Sequence, residues 1–176
     1  MNFTQEITDE LKLQAINKNG LVIEHIINPT EKMKLLAVKR NGDALQFIEN
    51  ASEEMQFLAL KSNGCSIQYI LNPSEKMKLL ALKCNVYAIR YIVNPTEEMK
   101  YIAVRGNWRT VQYITDLSDD LKMIAVNRDG GAIKFFKDVS CELQLRAVIQ
   151  NGYALQYIKN ATDEMKEFAV RSNSIY

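Results

Sequence analysis

Alanine recurs every 22 residues along the chain, at Ala15, Ala37, Ala59, Ala81, Ala103, Ala125, Ala147 and Ala169. A period of this length marks a repeat architecture, in which each unit is one supersecondary element that buries its apolar face only by stacking on its neighbours. The flanking columns keep the same period. One holds Ile16, Val38, Leu60, Leu82, Val104, Val126, Val148 and Val170, and a second holds Leu11, Met33, Met55, Met77, Met99, Leu121, Leu143 and Met165. A third holds Ile26, Ile48, Ile70, Ile92, Ile114, Phe136 and Ile158. The chain of 176 residues therefore reads as one domain, 1–176, of eight units at about 6–27, 28–49, 50–71, 72–93, 94–115, 116–137, 138–159 and 160–176.

Each unit reads as two short helices, the last unit being cut to one. Asn28-Pro29-Thr30-Glu31 offers an N-cap, a proline suited to the first helical position and a glutamate that reaches back to the cap. The first helix is therefore expected to start at this Asn, with a frame shifted to the Thr or Ser as the alternative, since helix boundaries vary by a residue or two. The first helix should run about twelve residues and stop at Asn41-Gly42, Asn63-Gly64 or Asn151-Gly152, where those residues tolerate a left-handed turn. The second follows at once, as in Ala44-Leu45-Gln46-Phe47-Ile48. Neither helix is long enough to stand alone in water. Apolar residues on more than one side of the first helix (Met33, Leu35, Leu36, Ala37, Val38) are expected where it touches its own partner and both adjacent units. The alanine column marks the closest approach of helix axes. The expected fold is all-α, an elongated α-solenoid of two-helix repeats, with polar Gln14, Asn17 and Glu167 suited to capping its ends.

The unit Met-x-x-x-Ala-Val-Lys-x-Asn-Gly-x-Ala-Leu-Gln-Tyr-Ile resembles a family of short helical repeats found in bacteria, protists and large viruses, with the core Ala-Val-x-x-Asn-Gly-x-Ala-Leu-x-Tyr. Residues 37–48, 59–70, 147–158 and, less closely, 125–136 carry that core, while Val86 and Trp108 stand where it has glycine. The resemblance implies an interaction module and assigns no chemistry.

Composition excludes several function classes. With 22 Lys+Arg against 21 Asp+Glu the chain has no global polycation for nucleic acid or anionic membranes. No apolar run approaches the ~20 residues that span a bilayer. The Met1–Glu6 start has neither the basic nor the apolar part of a secretory signal, and Cys65, Cys84 and Cys141 fall in three different columns. We therefore expect a reduced, cytoplasmic protein without a membrane partner.

Catalysis finds no constellation. The single histidine, His25, occupies a column otherwise held by Phe47, Tyr69, Tyr91, Tyr113, Phe135 and Tyr157, and nothing places a nucleophile beside a base. One histidine and scattered cysteines do not make a metal site, and no glycine-rich phosphate loop occurs, so neither metal nor cofactor is expected. The repeats leave no stretch for a separate catalytic domain, and the chain is expected not to be an enzyme.

Binding is the remaining class. The aromatic column could stack bases with Gln46, Gln68, Gln112 and Gln156 reading their edges, or it could seal the edge of the second helix, the reading we favour. Two basic columns, one through Lys12, Lys34, Lys78, Lys100, Lys122 and Lys166 and one through Lys39, Lys61, Lys83, Arg105 and Arg171, could follow a phosphate backbone. A solvated face balanced by the acidic first turns accounts for them as well.

The repetition fails most clearly at the first position of the second helix, which runs Leu21, Asp43, Cys65, Tyr87, Arg109, Gly131, Tyr153, so that nothing structural fixes it from sequence. Around units four and five it gathers Tyr87, Arg90, Arg105, Trp108, Arg109 and Gln112, residue types enriched at binding hot spots. Trp108 is the sole tryptophan. It reads either as a contact residue or as a drifted repeat position packed on its neighbours. The expected function is binding of a partner protein at this ridge of inter-helix corners. Nucleic-acid binding along the basic columns, and inhibition of a bacterial protein by a chain of viral origin, are the alternatives; the oligomeric state is left open.

Overall fold

The computed structural model describes residues 8–173, so the readings of the Met1–Glu6 start and of the stop at Tyr176 lie outside the described residues. Among the described residues the chain is all-α, with α-helices alternating with 3-10 helices and no strand. It divides into two compact units, Met1–Val93 and Asn94–Tyr176, at a repeat boundary legible in the sequence. The first unit holds α1 (Asp9–Lys18), η1 (Gly20–His25), α2 (Glu31–Arg40), η2 (Gly42–Phe47), α3 (Glu53–Ser62), η3 (Gly64–Tyr69), α4 (Glu75–Cys84) and η4 (Val86–Tyr91). The second holds α5 (Glu97–Gly106), η5 (Trp108–Tyr113), α6 (Asp119–Arg128), η6 (Gly130–Phe135), α7 (Cys141–Gln150), η7 (Gly152–Tyr157) and α8 (Asp163–Asn173). Within each unit α stacks on α and η on η, repeat after repeat, in solenoid fashion.

The second helix of each repeat is a six-residue 3-10 helix, not an α-helix. Its i→i+3 bonds close within so short a segment, and its poorer geometry is offset by packing, since Ala44, Leu45 and Ile48 of the η2 stretch are buried. Helices α1–α7 are ten residues long and α8 eleven, rather than twelve, and the Ser/Thr frame is the one adopted. The Thr30 hydroxyl accepts from the Met33 amide at 3.3 Å, and Ser52, Ser74, Thr96 and Ser140 cap α3, α4, α5 and α7 in the same way. Asn28 precedes the helix instead, in the left-handed region at φ 53°, as do Asn50, Asn94 and Asp138 at φ 50–51°.

The Asn-Gly step also differs from its expected turn. Asn41 is extended at φ −146°; its N–H donates to the Ala37 carbonyl at 2.8 Å, ending α2, and its Oδ1 accepts from the Asp43 N–H at 2.9 Å, starting η2. The glycine is there for proximity. A Cβ on Gly42 would stand 2.3 Å from the carbonyl oxygen of Ala59 in the following repeat, and Gly20, Gly64 and Gly130 meet Ala37, Ala81 and Ala147 likewise. The alanine column is the other half of this contact: Ala37, Ala59, Ala81, Ala125 and Ala147 are fully buried, whereas Ala15 on the first described helix is exposed. Met33, Met55, Leu60, Leu82, Val104, Val126 and Val148 fill the core beside them. Each such burial is worth roughly 1.5–3 kcal/mol.

Candidate functional site

In the second unit, α5 and η5 meet at a corner turned by Asn107, whose N–H donates to the Ala103 carbonyl at 2.9 Å and whose Oδ1 accepts from the Arg109 N–H at 3.0 Å. Buried Thr110 and Val111 anchor η5 from below, the Thr110 hydroxyl donating to the Asn107 carbonyl at 2.8 Å. With those two inward, Trp108 is left half-buried while Arg109 and Gln112 face solvent. The Arg109 guanidinium lies over the Trp108 ring, 4.7 Å from its centroid, a cation–π contact that holds both side chains in place. Gln112 donates its side-chain amide to the Arg109 carbonyl at 3.0 Å, one 3-10 turn back. On α5, the Arg105 guanidinium lies 5.7 Å from the Tyr101 ring centroid and donates to the Tyr101 hydroxyl at 2.7 Å. The second unit thus carries Arg105, Trp108, Arg109 and Gln112 on adjoining segments. Because Trp108 brings a Cβ to a position that needs none, η5 sits less tightly against α6 than glycine-led η6 does against α7.

Tyr87 and Arg90 belong to η4 of the first unit. Tyr87 is half-buried and its N–H bonds to Asn85 Oδ1 at 3.0 Å; Arg90 is exposed with its guanidinium 4.8 Å from the Tyr91 ring centroid. The variable column to which Tyr87 and Arg109 belong is not everywhere free of structural duty. Asp43 accepts from the buried Ser66 hydroxyl at 2.9 Å and from Asn63 Nδ2 at 3.0 Å, stitching one repeat to the next.

Gln46 and Gln156, like Gln112, donate their amides to carbonyls three residues back, which engages the groups a base-reading ladder would use. The aromatic column is half-buried at Phe47, Tyr69 and Tyr91 and more open at Tyr113, Phe135 and Tyr157. The first basic column is neutralised along its own helices: Lys34, Lys78, Lys100, Lys122 and Lys166 lie 2.7–2.9 Å from the carboxylates of Glu31, Glu75, Glu97, Asp119 and Asp163. Lys100, only 7% exposed, also donates to the Asp116 carbonyl at 2.6 Å. His25 is exposed, Cys84 and Cys141 are exposed, and Cys65 is half-buried, its thiol pushed up by that burial. Among the described residues no group of three His, Cys, Asp or Glu side chains is placed to hold a metal, and no helix is long and apolar enough to cross a membrane.

One surface was not singled out by sequence. Between α3 and α4 runs a groove of about 790 Å³ whose floor is Phe57, Leu58, Leu79 and Leu80 and whose edges carry Glu54, Lys61, Lys76 and Lys83. Its signal was the excess of apolar residues around the first helix of the repeat, which stacking alone does not bury.

Compared with protein-family models, with curated proteins and with solved structures, the chain matches none.

Proposed function

We propose that this chain is a non-enzymatic repeat module that binds a partner protein through the α5–η5 corner, in keeping with the repeat family it resembles. The observation that carries the proposal is the Arg109–Trp108 pair. A tryptophan replaces the glycine of the repeat, loosens the local stacking and remains half-open to solvent with an arginine laid on its ring. Large side chains already fixed by contact lose little freedom when a partner covers them, and Trp and Arg lead the residues whose removal costs binding. Arg105 and Gln112 extend the surface with donors at its rim.

Nucleic acid is the weaker fit. The first lysine column already faces carboxylates, which removes much of the charge a phosphate backbone would neutralise. Free thiols at Cys65, Cys84 and Cys141 suit a reducing compartment. The test is affinity capture from lysate followed by mass spectrometry, with Trp108→Ala and Arg109→Ala beside the unaltered chain. A partner depleted by both substitutions supports the proposal, and a partner captured equally by all three sinks it.

A further inference from the structure

From the groove face of the first unit we infer a second docking surface, fitted to an amphipathic α-helix that carries a row of acidic residues along one side. It is independent of the α5–η5 corner.

The structure separates the two basic columns. The first is paired with carboxylates three residues away on the same helices. The second, Lys39, Lys61 and Lys83 in the last turns of α2, α3 and α4, is exposed, and among the described residues none of the three pairs with a carboxylate. The helix dipole favours a cation at each of these ends, but it accounts for them one at a time and not for what lies beside them. Beside them is apolar surface. Leu35 and Leu36 on α2, Phe57 and Leu58 on α3, and Leu79 and Leu80 on α4 are all only half-buried, and the last four floor the groove. Lys76 reaches from α4 over the Phe57 ring, 5.3 Å from its centroid, so the opposite edge is held by a cation–π contact and carries mixed charge.

The strip therefore crosses three stacked helices with an unbroken row of lysines along one edge and mixed charge along the other. It stops at α1, where Gln14 and Asn17 replace the leucine and lysine and Asn17 accepts from Arg40. Packed helix axes lie about 8–10 Å apart, so the three lysines recur at about that step. Seven residues of an α-helix rise about 10.5 Å. A helix laid across α2, α3 and α4 would thus present one acid per heptad to one lysine per repeat, with its leucine face on the strip, the helix-in-groove mode of recognition. A single lipid headgroup would use one lysine of the three. An extended peptide would leave its backbone groups without a sheet edge to pair with.

The experiment is fluorescence anisotropy on the full chain with a labelled, monomeric helical peptide of about three heptads, leucine at the apolar positions and one glutamate per heptad on a flank. The matched peptide with lysine in place of glutamate, dodecanoate, and phosphatidylglycerol vesicles are the comparison probes. The acidic peptide is expected to bind and the basic one not. Lys39→Glu with Lys61→Glu and Lys83→Glu should weaken the acidic peptide at least about tenfold, since three exposed ion pairs are lost and reversed, and should admit the basic peptide. If that variant melts early, Lys61→Gln with Lys83→Gln gives the same comparison with less charge change. Trp108→Ala should bind the acidic peptide unchanged, which separates this surface from the corner. Equal binding of both peptides, no loss in either lysine variant, loss in Trp108→Ala, or binding of dodecanoate or vesicles in place of the peptide would each overturn the inference.

Discussion

Gly42 and Ala59 touch so closely that any side chain on the first would collide with the backbone of the second: a Cβ there would lie 2.3 Å from the Ala59 carbonyl oxygen and 2.6 Å from Ser66 Oγ. That carbonyl already accepts from the Asn63 N–H at 2.8 Å, so it cannot swing aside without unmaking the end of α3. One residue pair thus links the close of one helix to the start of the 3-10 helix of the repeat before it.

Gly42→Ala should therefore destabilise the chain by about 1–3 kcal/mol, the range of an overpacked core. Gly131→Ala is the control. Its added Cβ would meet only the Asp129 carboxylate, at 3.0 Å, and it should change stability by less than about 0.5 kcal/mol. Urea denaturation of both variants measures the difference; equal effects would contradict the role given to proximity.

Asp43→Ala strands the buried Ser66 hydroxyl, whose acceptor it is. The expected loss is about 1–3 kcal/mol. In a Ser66→Ala background, which copies Ala44, Ala88, Ala132 and Ala154 of the same column, the loss should fall below about 1 kcal/mol. Denaturation of the four chains of this cycle checks it, and purely additive losses would count against the coupling.

Thiol titration should be biphasic. Exposed Cys84 and Cys141 should react with a disulfide reagent within the first phase, and half-buried Cys65 later. Burial lifts the Cys65 thiol, Arg90 draws it down and Asp43 lifts it, the net direction being up, so less of the reactive thiolate is present at mild pH. Raising the pH toward the lifted value should speed the slow phase. Three equal rates would contradict this placement.

The packing columns were legible in the sequence because a repeat that must stack on copies of itself admits the same side chains at Ala59, Leu60 and Met55 every time. What the sequence misdirected has physical causes too. Six residues span no more than two turns, so period 3.0 and period 3.6 look alike in Gly42–Phe47. Asn-Gly carries a strong turn signal, whereas the need for glycine at 42 comes from a carbonyl seventeen positions away, which no local pattern announces. Asp43 looked free because its partners, Asn63 and Ser66, lie in the next repeat. Leu35 and Leu36 read as contacts to adjacent units yet are only half-buried, because sequence gives hydrophobicity and not exposure. The candidate corner was visible as a broken column, and the structure adds the stacking of Arg109 on Trp108 that gives it a fixed shape.

The most direct test of partner binding at that corner is a double variant, Trp108→Ala with Arg109→Ala, measured for both partner capture and thermal melting. Arg109 is exposed and Trp108 half-buried at a position the repeat normally leaves to glycine, so melting should shift by only a few degrees. Capture should fall to background, since removal of paired hot-spot residues costs about 2 kcal/mol or more each. A double variant that melts normally and captures its partner as well as the unaltered chain would contradict the account.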